Sequence, residues 1–246
     1  MIGITIEHAQ KIIESQDYVN DIREMISRLN AINIKIVCFF DETYPESLRK
    51  IADPPILLYV KGDPQLLSKG GVAIVGTTSA DEIGIKYSID FARKFTDNGL
   101  SVISGLSTGI DSAAHLGSLK NNGKTIAVIG SGHLNIYPEE NVTLGRLIAE
   151  SGAVVSEYDV HAKVSPNQLT ERNRIIAALA DIVVLMQIGN KTKSELHIAQ
   201  AAIDQGKLVY VYDPDSIYDS ESLLGNMINK IRTIDEVDEI LEYITI

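Results

Sequence analysis

The stretch Ile126-Ala-Val-Ile-Gly-Ser-Gly132 decides the fold, because an apolar run passes directly into three small residues. A second apolar run, around Val102 and Ile103, passes into Ser104 and Gly105 in the same way. Short apolar runs of this kind are typical of strands, and small residues after a strand let the backbone close on a phosphate. The pattern therefore predicts a nucleotide or nucleic-acid site.

From residue 71 onward, strand-like runs alternate with helical patterns. Strands are predicted at 72–75, 101–103, 125–129, 153–155, 182–186 and 208–212, and helices at 85–98, 110–120, 140–150, 168–180 and 194–205. The strands are apolar throughout, which indicates burial on both faces, as in a parallel sheet covered by helices. We therefore predict a doubly wound α/β domain that binds ligands at the carboxyl ends of its strands.

The two ends of the chain carry additional elements. Residues 1–31 have the apolar spacing of a helical lead-in, and a strand at 34–40, a short helix at 44–51 and a strand at 53–60 follow. Helical patterns at 221–231 and 235–244 are expected to cap the fold. The predicted organisation is a lead-in at 1–31 and one domain at 32–246.

Composition is that of a globular protein, with 45% hydrophobic and 22% charged residues among 246. The apolar runs are shorter than the roughly 18 residues of a membrane span, and no leader pattern is found, so a cytoplasmic protein is expected. Cys38 is the single cysteine, which excludes a disulfide within the chain, and its apolar surroundings predict a core position.

Net charge argues against non-specific attraction to nucleic acid. The 22 basic and 33 acidic residues give −11. A nucleic-acid site therefore requires a local basic pocket. The residues available for one are Lys163, Arg172, Arg174, Lys191 and Lys193.

Three loops are candidates for anion binding: 76–84, 104–109 and 130–132. Free backbone N–H groups at neighbouring helix N-termini would form such a site, and tight packing of the glycines is the alternative. The first loop lacks the GxGxxG spacing of dinucleotide sites. Residues 189–195 form a fourth candidate loop, for which a merely solvated loop is the alternative.

Two groups of side chains suggest chemistry. Asp111 and His115 lie four residues apart on one helix, so they are either an orienting acid and its base, or a helix cap and a buried imidazole. Arg172 and Arg174 suit phosphates or planar bases, and ion pairs with Glu171 or Glu157 are the alternative. The histidines have no partners at ligand spacing, so no metal is expected.

A series of short motifs in chain order resembles the DprA/Smf family of DNA-processing proteins. The motifs are Tyr44-Pro45, Asp53-Pro-Pro-Ile-Leu57, Val72-Ala-Ile-Val-Gly76, Ser104-Gly-Leu106, Gly109-Ile-Asp111, Ala114-His115, Gly123-Lys-Thr-Ile-Ala-Val-Ile-Gly-Ser-Gly132, Tyr137-Pro138, Asn141, Ser156-Glu157 and Arg172-Asn-Arg-Ile-Ile-Ala177.

The resemblance implies an extended Rossmann-like fold that binds single-stranded DNA, forms a homodimer, and assists loading of the RecA recombinase in DNA uptake, natural transformation or recombination. It implies neither catalytic residues nor a cofactor. By position, the DNA or phosphate site would comprise Gly76, Thr77, Thr78, Ser104, Gly105, Gly130, Ser131, Gly132, Lys163, Asn167, Arg172, Asn173, Arg174 and Lys193.

The chain departs from the family pattern in three places. Thr78 stands where family members usually have an arginine, which removes a positive charge from the expected DNA path. Residues 187–199 differ from the usual acidic, serine-glycine and threonine-alanine pattern. The sequence also ends without the winged-helix-like domain that many members carry.

A second interpretation is a nucleotide-binding sensor, or a nucleoside monophosphate phosphoribohydrolase of the LOG type. Such enzymes use arginines and a glutamate after a glycine-rich loop, and Arg172, Arg174 and Glu195 stand at loosely comparable places. Their loop has several glycines, whereas only Gly189 is present here.

Overall fold

A computed structural model of the chain describes residues 18–189, 195–218, 224 and 227–244. Nine strands form one sheet in the order β1-β2-β6-β5-β4-β3-β7-β8-β9. Strands β1 and β2 pair antiparallel, as do β2 and β6, and all other neighbours pair in parallel. The strands are β1 Ile34–Cys38, β2 Leu57–Gly62, β3 Val72–Val75, β4 Val102–Ser104, β5 Thr125–Ile129, β6 Ala153–Ser156, β7 Ile182–Leu185, β8 Leu208–Tyr212 and β9 Ile228–Ile231.

Helices cover both faces of this sheet. They are α1 Val19–Ala31, α2 Glu46–Arg49, α3 Glu82–Asp97, α4 Ile110–Lys120, α5 Val142–Ser151, α6 Pro166–Glu171, α7 Asn173–Leu179, α8 Glu195–Asp204 and α9 Val237–Ile244. Helices α3, α4, α5 and α9 pack on one face, and α2, α7 and α8 pack on the other.

The central strands are buried throughout, because successive side chains enter opposite cores. In β3, Val72 and Ile74 pack with α3 and α4, whereas Ala73 and Val75 pack with α7 and α8. This confirms the predicted α/β class, with a mostly parallel sheet between two layers of helices.

The lead-in is described from residue 18. Helix α1 lies beside β1 and buries Leu29 against Ile34 and Val160. Residues 1–17 lie outside the described part of the chain, so the proposed division into a lead-in and one domain stays a prediction.

Three sequence predictions need correction. The helix expected at 221–231 is wrong at its end, where Ile228–Ile231 forms β9 beside β8. Ile228 and Ile231 are both buried and are three residues apart, which imitates helical spacing. The helix expected at 168–180 is two helices that meet at Arg172. Cys38 is only half-buried, because it ends an edge strand.

Among the described residues, no helix is long and apolar enough to cross a membrane. In the same part of the chain, no group of three or more His, Cys, Asp or Glu side chains could hold a metal ion.

Candidate functional site

The loops that follow β3, β4, β5 and β7 lie at one edge of the sheet, since these four strands are parallel. We call this the carboxyl edge; it comprises residues 76–78, 105–108, 130–132 and 187–189. Backbone hydrogen bonds connect the loops: Thr77 N donates to Gln187 O (2.8 Å), and Ile110 N donates to Thr77 O (3.2 Å). The loops after β3, β4 and β7 are therefore joined to one another at this edge.

The 130–132 loop is covered by the chain itself. Gly132 N donates to Ala162 O (2.9 Å), and a Cβ at Gly132 would lie 2.2 Å from Asp159 O. Gly130 lies under α6, where a Cβ would come 3.0 Å from Gln168 O. These glycines permit close packing of two backbones, the alternative to an open anion cradle, and Ser131 is buried with them.

Ser104 and Gly105 also lie beneath the surface. The Ser104 hydroxyl donates to Ile74 O (2.7 Å), which joins β4 to β3. Gly105 lies against a guanidinium group, because a Cβ there would fall 2.4 Å from Arg172 Nη2. Neither residue offers a side chain to a ligand, and the glycine makes room for the arginine.

Arg172 is a buried cation that bonds the ends of two strands. Only 6% of the residue is exposed, and its guanidinium donates to Gly105 O, to Val128 O (2.6 Å) and to Ser107 Oγ (3.1 Å). Burial lowers the pKa of Arg172, and the nearby Asp111 carboxylate opposes that shift. The arginine thus donates hydrogen bonds to backbone carbonyl groups at the ends of β4 and β5, which would otherwise lack a donor.

Asp111 is the counter-charge of Arg172. Its carboxylate is buried and accepts from Ser107 N (3.2 Å). Burial raises the pKa of Asp111, whereas Arg172 acts to lower it. The local spacing of Asp111 suggests only His115 as a partner, because nothing in it points to a residue as distant in sequence as Arg172.

The His115 ring contacts Thr125, so the acid and base pair with Asp111, one of the two alternatives, is not formed. The ring Nδ1 lies 2.7 Å from Thr125 Oγ1, and that hydroxyl itself donates to Val102 O, so Nδ1 carries the proton. Burial, aided by Arg172, lowers the pKa of His115 to about 3. His115 is a buried neutral imidazole, as the alternative interpretation proposed. Asp111 is not the helix cap, because Gly109 occupies that position.

Arg174 points away from the carboxyl edge. Its guanidinium pairs with Glu157 (2.7 Å) and Asp53 (3.2 Å), as the ion-pair alternative predicted for Glu157. It lines a groove that also includes Glu46 and Lys50. The sequence prediction that Arg174 belongs with the anion loops is therefore corrected, because two carboxylates already neutralise it.

Three of the predicted residues have exposed side chains: Thr78 belongs to the carboxyl edge, and Lys163 and Asn167 lie beside it. Lys163 follows Ala162, whose carbonyl holds Gly132, and Asn167 lies in the first turn of α6. Thr77 is buried. Lys193, together with residues 190–194, lies outside the described residues.

A small cavity of about 170 Å³ opens at this edge. It lies beside β3, whose neighbours in the sheet are β4 and β7. The strand order reverses at β3, and open α/β sheets bind ligands at such a switch point. Its walls combine four of the predicted residues with Glu195, which the sequence suggests only under the hydrolase interpretation. The lining residues are Gly76, Thr78, Ser107, Asp111, Leu169, Thr170, Arg172, Asn173, Glu195, His197 and Ile198.

Comparisons of sequence and of structure both match this chain to proteins named DNA processing protein A. The DNA processing protein DprA of Bacillus subtilis is 32% identical over 207 residues, which cover 84% of this chain and 69% of that protein. The X-ray structure of DNA processing protein A from Streptococcus pneumoniae matches with a TM-score of 0.76 and 33% identity, and covers 84% of this chain and 74% of that one.

A third match is DNA processing protein A from Helicobacter pylori, whose structure is described for its single-stranded DNA binding mode. It has a TM-score of 0.75 and 27% identity, and it covers 85% of this chain and 96% of that one. The family model for DNA recombination-mediator protein A matches residues 35–245. The chain is therefore a member of the DNA recombination-mediator protein A family, known as DprA or Smf.

Proposed function

We propose that this chain is a recombination mediator that binds single-stranded DNA along the carboxyl edge of its sheet. The observation that carries the proposal is the family match over residues 35–245, together with the likeness to a relative described for its single-stranded DNA binding. Ligands of open α/β sheets bind at this edge, which supports the location.

Exposed groups at the carboxyl edge would hold the sugar-phosphate chain. The Lys163 ammonium would pair with a phosphate, while the Thr78 hydroxyl and the Asn167 amide would donate hydrogen bonds to phosphate oxygens. Arg172 would act from behind the loops, as a buried positive charge that organises the backbone. Such contacts carry little base information, so sequence preference from them should be weak.

The test is an anisotropy titration with a labelled oligo-dT of 20 nucleotides over a range of salt concentrations. Each phosphate contact on a single strand contributes about −0.7 to the slope of log K against log salt. We expect Lys163→Ala to weaken binding and to reduce the size of the slope by roughly that amount.

Lys120→Ala is the matched control, because Lys120 is an exposed lysine at the opposite end of α4. It should bind as the wild type does. Equal affinities and slopes for the two variants would show that Lys163 does not contact the bound DNA. Wild-type binding that is absent at low salt would reject the proposed function.

The wider role follows the family. We infer that the chain acts as a homodimer in the cytoplasm, protects single-stranded DNA and assists RecA loading during DNA uptake or recombination. A direct assay is RecA ATP hydrolysis on oligonucleotides covered by single-strand binding protein. Addition of the chain should shorten the lag before hydrolysis, and an unchanged lag would speak against the RecA role.

The phosphoribohydrolase interpretation is not favoured. It requires Arg174 as a ligand for the nucleotide, but that guanidinium is engaged by Glu157 and Asp53 and lines a different groove. Release of free base from a nucleoside monophosphate, lost in Glu195→Gln, would reinstate it.

A further inference from the structure

Gln187 holds the loop after β3 at two points. Its carbonyl oxygen accepts from Thr77 N (2.8 Å), at the start of the segment 77–81. Its side-chain amide bonds twice to Asp81 at the end of that segment: Asp81 N donates to Gln187 Oε1 (3.2 Å), and Gln187 Nε2 donates to Asp81 Oδ2 (2.9 Å). One residue therefore closes the segment that presents the exposed side chain of Thr78.

The Asp81 carboxylate also begins helix α3. Its Oδ1 accepts from Gly84 N (2.7 Å), which is the capping bond of the helix. The bonds from Gly84 and Gln187 lower the pKa of Asp81, so the carboxylate is ionised at neutral pH and both contacts are charge-assisted. Asp81 thus connects α3 to the loop that follows β7.

The backbone of Gln187 is held from the other side as well. The next residue, Ile188, is buried, and its N–H donates to the Tyr218 hydroxyl (3.0 Å). Tyr218 N in turn donates to the buried Asp213 (3.3 Å), which pairs with Lys230 on β9 (2.8 Å). The Gln187 side chain therefore extends toward the loop after β3 from a backbone that is bonded on both sides.

The space for this amide depends on Gly84. A Cβ at Gly84 would lie 2.5 Å from Gln187 Oε1, too close for both atoms to keep their places. Gly84 lies in the first turn of α3, where alanine would favour the helix more than glycine does. The missing side chain therefore makes room for the glutamine amide.

We propose that Gln187 is a positioning residue for single-stranded DNA, whose paired bonds with Asp81 hold the segment 77–81 in the conformation that binds the strand. This inference rests on the proposed function. When the pair is broken, the segment opens, and the apparent affinity for DNA falls with the fraction of molecules in which it is closed. The pair can also be reversed, with the amide at 81 and the carboxylate at 187, which provides a test.

The first experiment measures the affinity for oligo-dT by anisotropy in single variants. Asp81→Asn leaves two amide donors facing each other, so we expect binding about tenfold weaker than in the wild type. Charge alone predicts the opposite, because the variant removes a carboxylate close to the proposed DNA path. Glu82→Gln is the matched control: it removes an exposed carboxylate one residue away, keeps the pair with Gln187, and should bind at least as tightly as the wild type.

The second experiment reverses the pair. Gln187→Glu alone places two carboxylates opposite each other and should also weaken binding about tenfold. In the double variant Asp81→Asn/Gln187→Glu, the asparagine amide can donate to the glutamate while its oxygen still accepts from Gly84 N, so the wild-type affinity should return. Gly84→Ala changes no charge and should weaken binding too, because the added methyl group displaces the Gln187 amide.

Hydrogen exchange of the free protein reports the segment itself. Peptides that contain residues 77–81 should exchange faster in Asp81→Asn and at the wild-type rate in the double variant. Binding in Asp81→Asn as tight as in Glu82→Gln, or a double variant no better than the single ones, would overturn the role of Gln187 and leave strand binding in place. Weaker binding with unchanged exchange would overturn it as well. Wild-type binding that is absent at low salt would reject the proposed function, and the positioning role with it.

Discussion

At the scale of single residues, Arg172 decides how the carboxyl edge is built. The guanidinium contacts the ends of β4 and β5 and the loop between β4 and α4, and it neutralises Asp111. Arginine suits this position because it presents five donors in a rigid plane. Its role is to position the loops from beneath.

Replacing Arg172 should be strongly destabilising. Arg172→Met leaves the buried carbonyl oxygens of Gly105 and Val128 without their donor and removes the positive charge near Asp111, so the expected loss in free energy of unfolding is about 3–5 kcal/mol. Arg174→Met is the matched control; its ion pairs are partly exposed, so a loss of about 1 kcal/mol is expected. Urea unfolding measures both values. Equal losses would contradict the organising role of Arg172.

His115 should make stability depend on pH. Its pKa is about 6.5 in the unfolded chain and about 3 in the fold, so the unfolded state binds more protons between these values. The contribution of neutral His115 to the free energy of unfolding is fully present above pH 6.5. It decreases as the pH falls, by about 2 kcal/mol between pH 7 and pH 5.

The variant His115→Asn keeps a donor for Thr125 and removes the titration. Denaturant unfolding at pH 7 and pH 5 should therefore show a loss about 2 kcal/mol smaller than that of the wild type. His133, whose pKa burial lowers to about 4, contributes to both proteins and cancels in the comparison. An identical pH dependence would mean that the pKa of His115 is the same in the fold as in the unfolded chain.

Some residue roles could be predicted from the sequence and others could not. The Arg174 ion pair was available as an alternative because Glu157 is close in the chain. The electrostatic interaction of Arg172 with Asp111 was not, because it depends on where α6 and α7 cross the carboxyl edge. The cavity position of Glu195 depends on the same tertiary packing.

At the scale of elements, the segment 159–162 and the loop 130–132 form one packed unit. The absence of a side chain at Gly132 lets Asp159 and Val160 lie directly on the loop. Lys163 follows this segment, so the packing also sets the position of the exposed lysine.

Gly132→Ala should therefore disturb both stability and DNA binding. The added Cβ would lie 2.2 Å from Asp159 O, so backbone must move, at a cost of about 1–3 kcal/mol. Gly145→Ala is the control, because its Cβ would meet the flexible end of Ile136 at 3.1 Å within a helix. The melting temperature and the affinity for oligo-dT should both fall in Gly132→Ala and stay unchanged in Gly145→Ala. Unchanged values for Gly132→Ala would show that the segment 159–162 can move away from the loop 130–132 without cost.

Element prediction succeeded where the pattern was unambiguous. Strands β3, β5, β6 and β7 are buried on both faces and read as uninterrupted apolar runs. Strand β9 was missed because an edge strand buries only some of its side chains, and Ile228 and Ile231 are spaced as in a helix. The glycine loops were located correctly, although packing accounts for those at Gly105, Gly130 and Gly132.

At the scale of the whole molecule, the net charge of −11 opposes the approach of DNA. At physiological salt, however, charges act over only about 8 Å. Acidic residues close to Lys163 should therefore matter, and distant ones should not.

Asp159→Asn removes an exposed carboxylate four residues before Lys163, so we expect tighter binding of oligo-dT at physiological salt. Glu150→Gln changes the net charge by the same amount at the other edge of the sheet and should leave affinity unchanged. Anisotropy titrations of the two variants separate local from global charge. An equal gain in both would indicate that total charge controls binding.

The central claim, that single-stranded DNA lies on the carboxyl edge, is tested most directly by hydrogen exchange with mass spectrometry. Saturating oligo-dT should slow exchange in peptides that contain residues 76–78, 105–108 and 163–170, and leave peptides at the opposite edge, residues 98–101 and 121–124, unchanged. Protection at the opposite edge alone, with binding intact, would contradict the account.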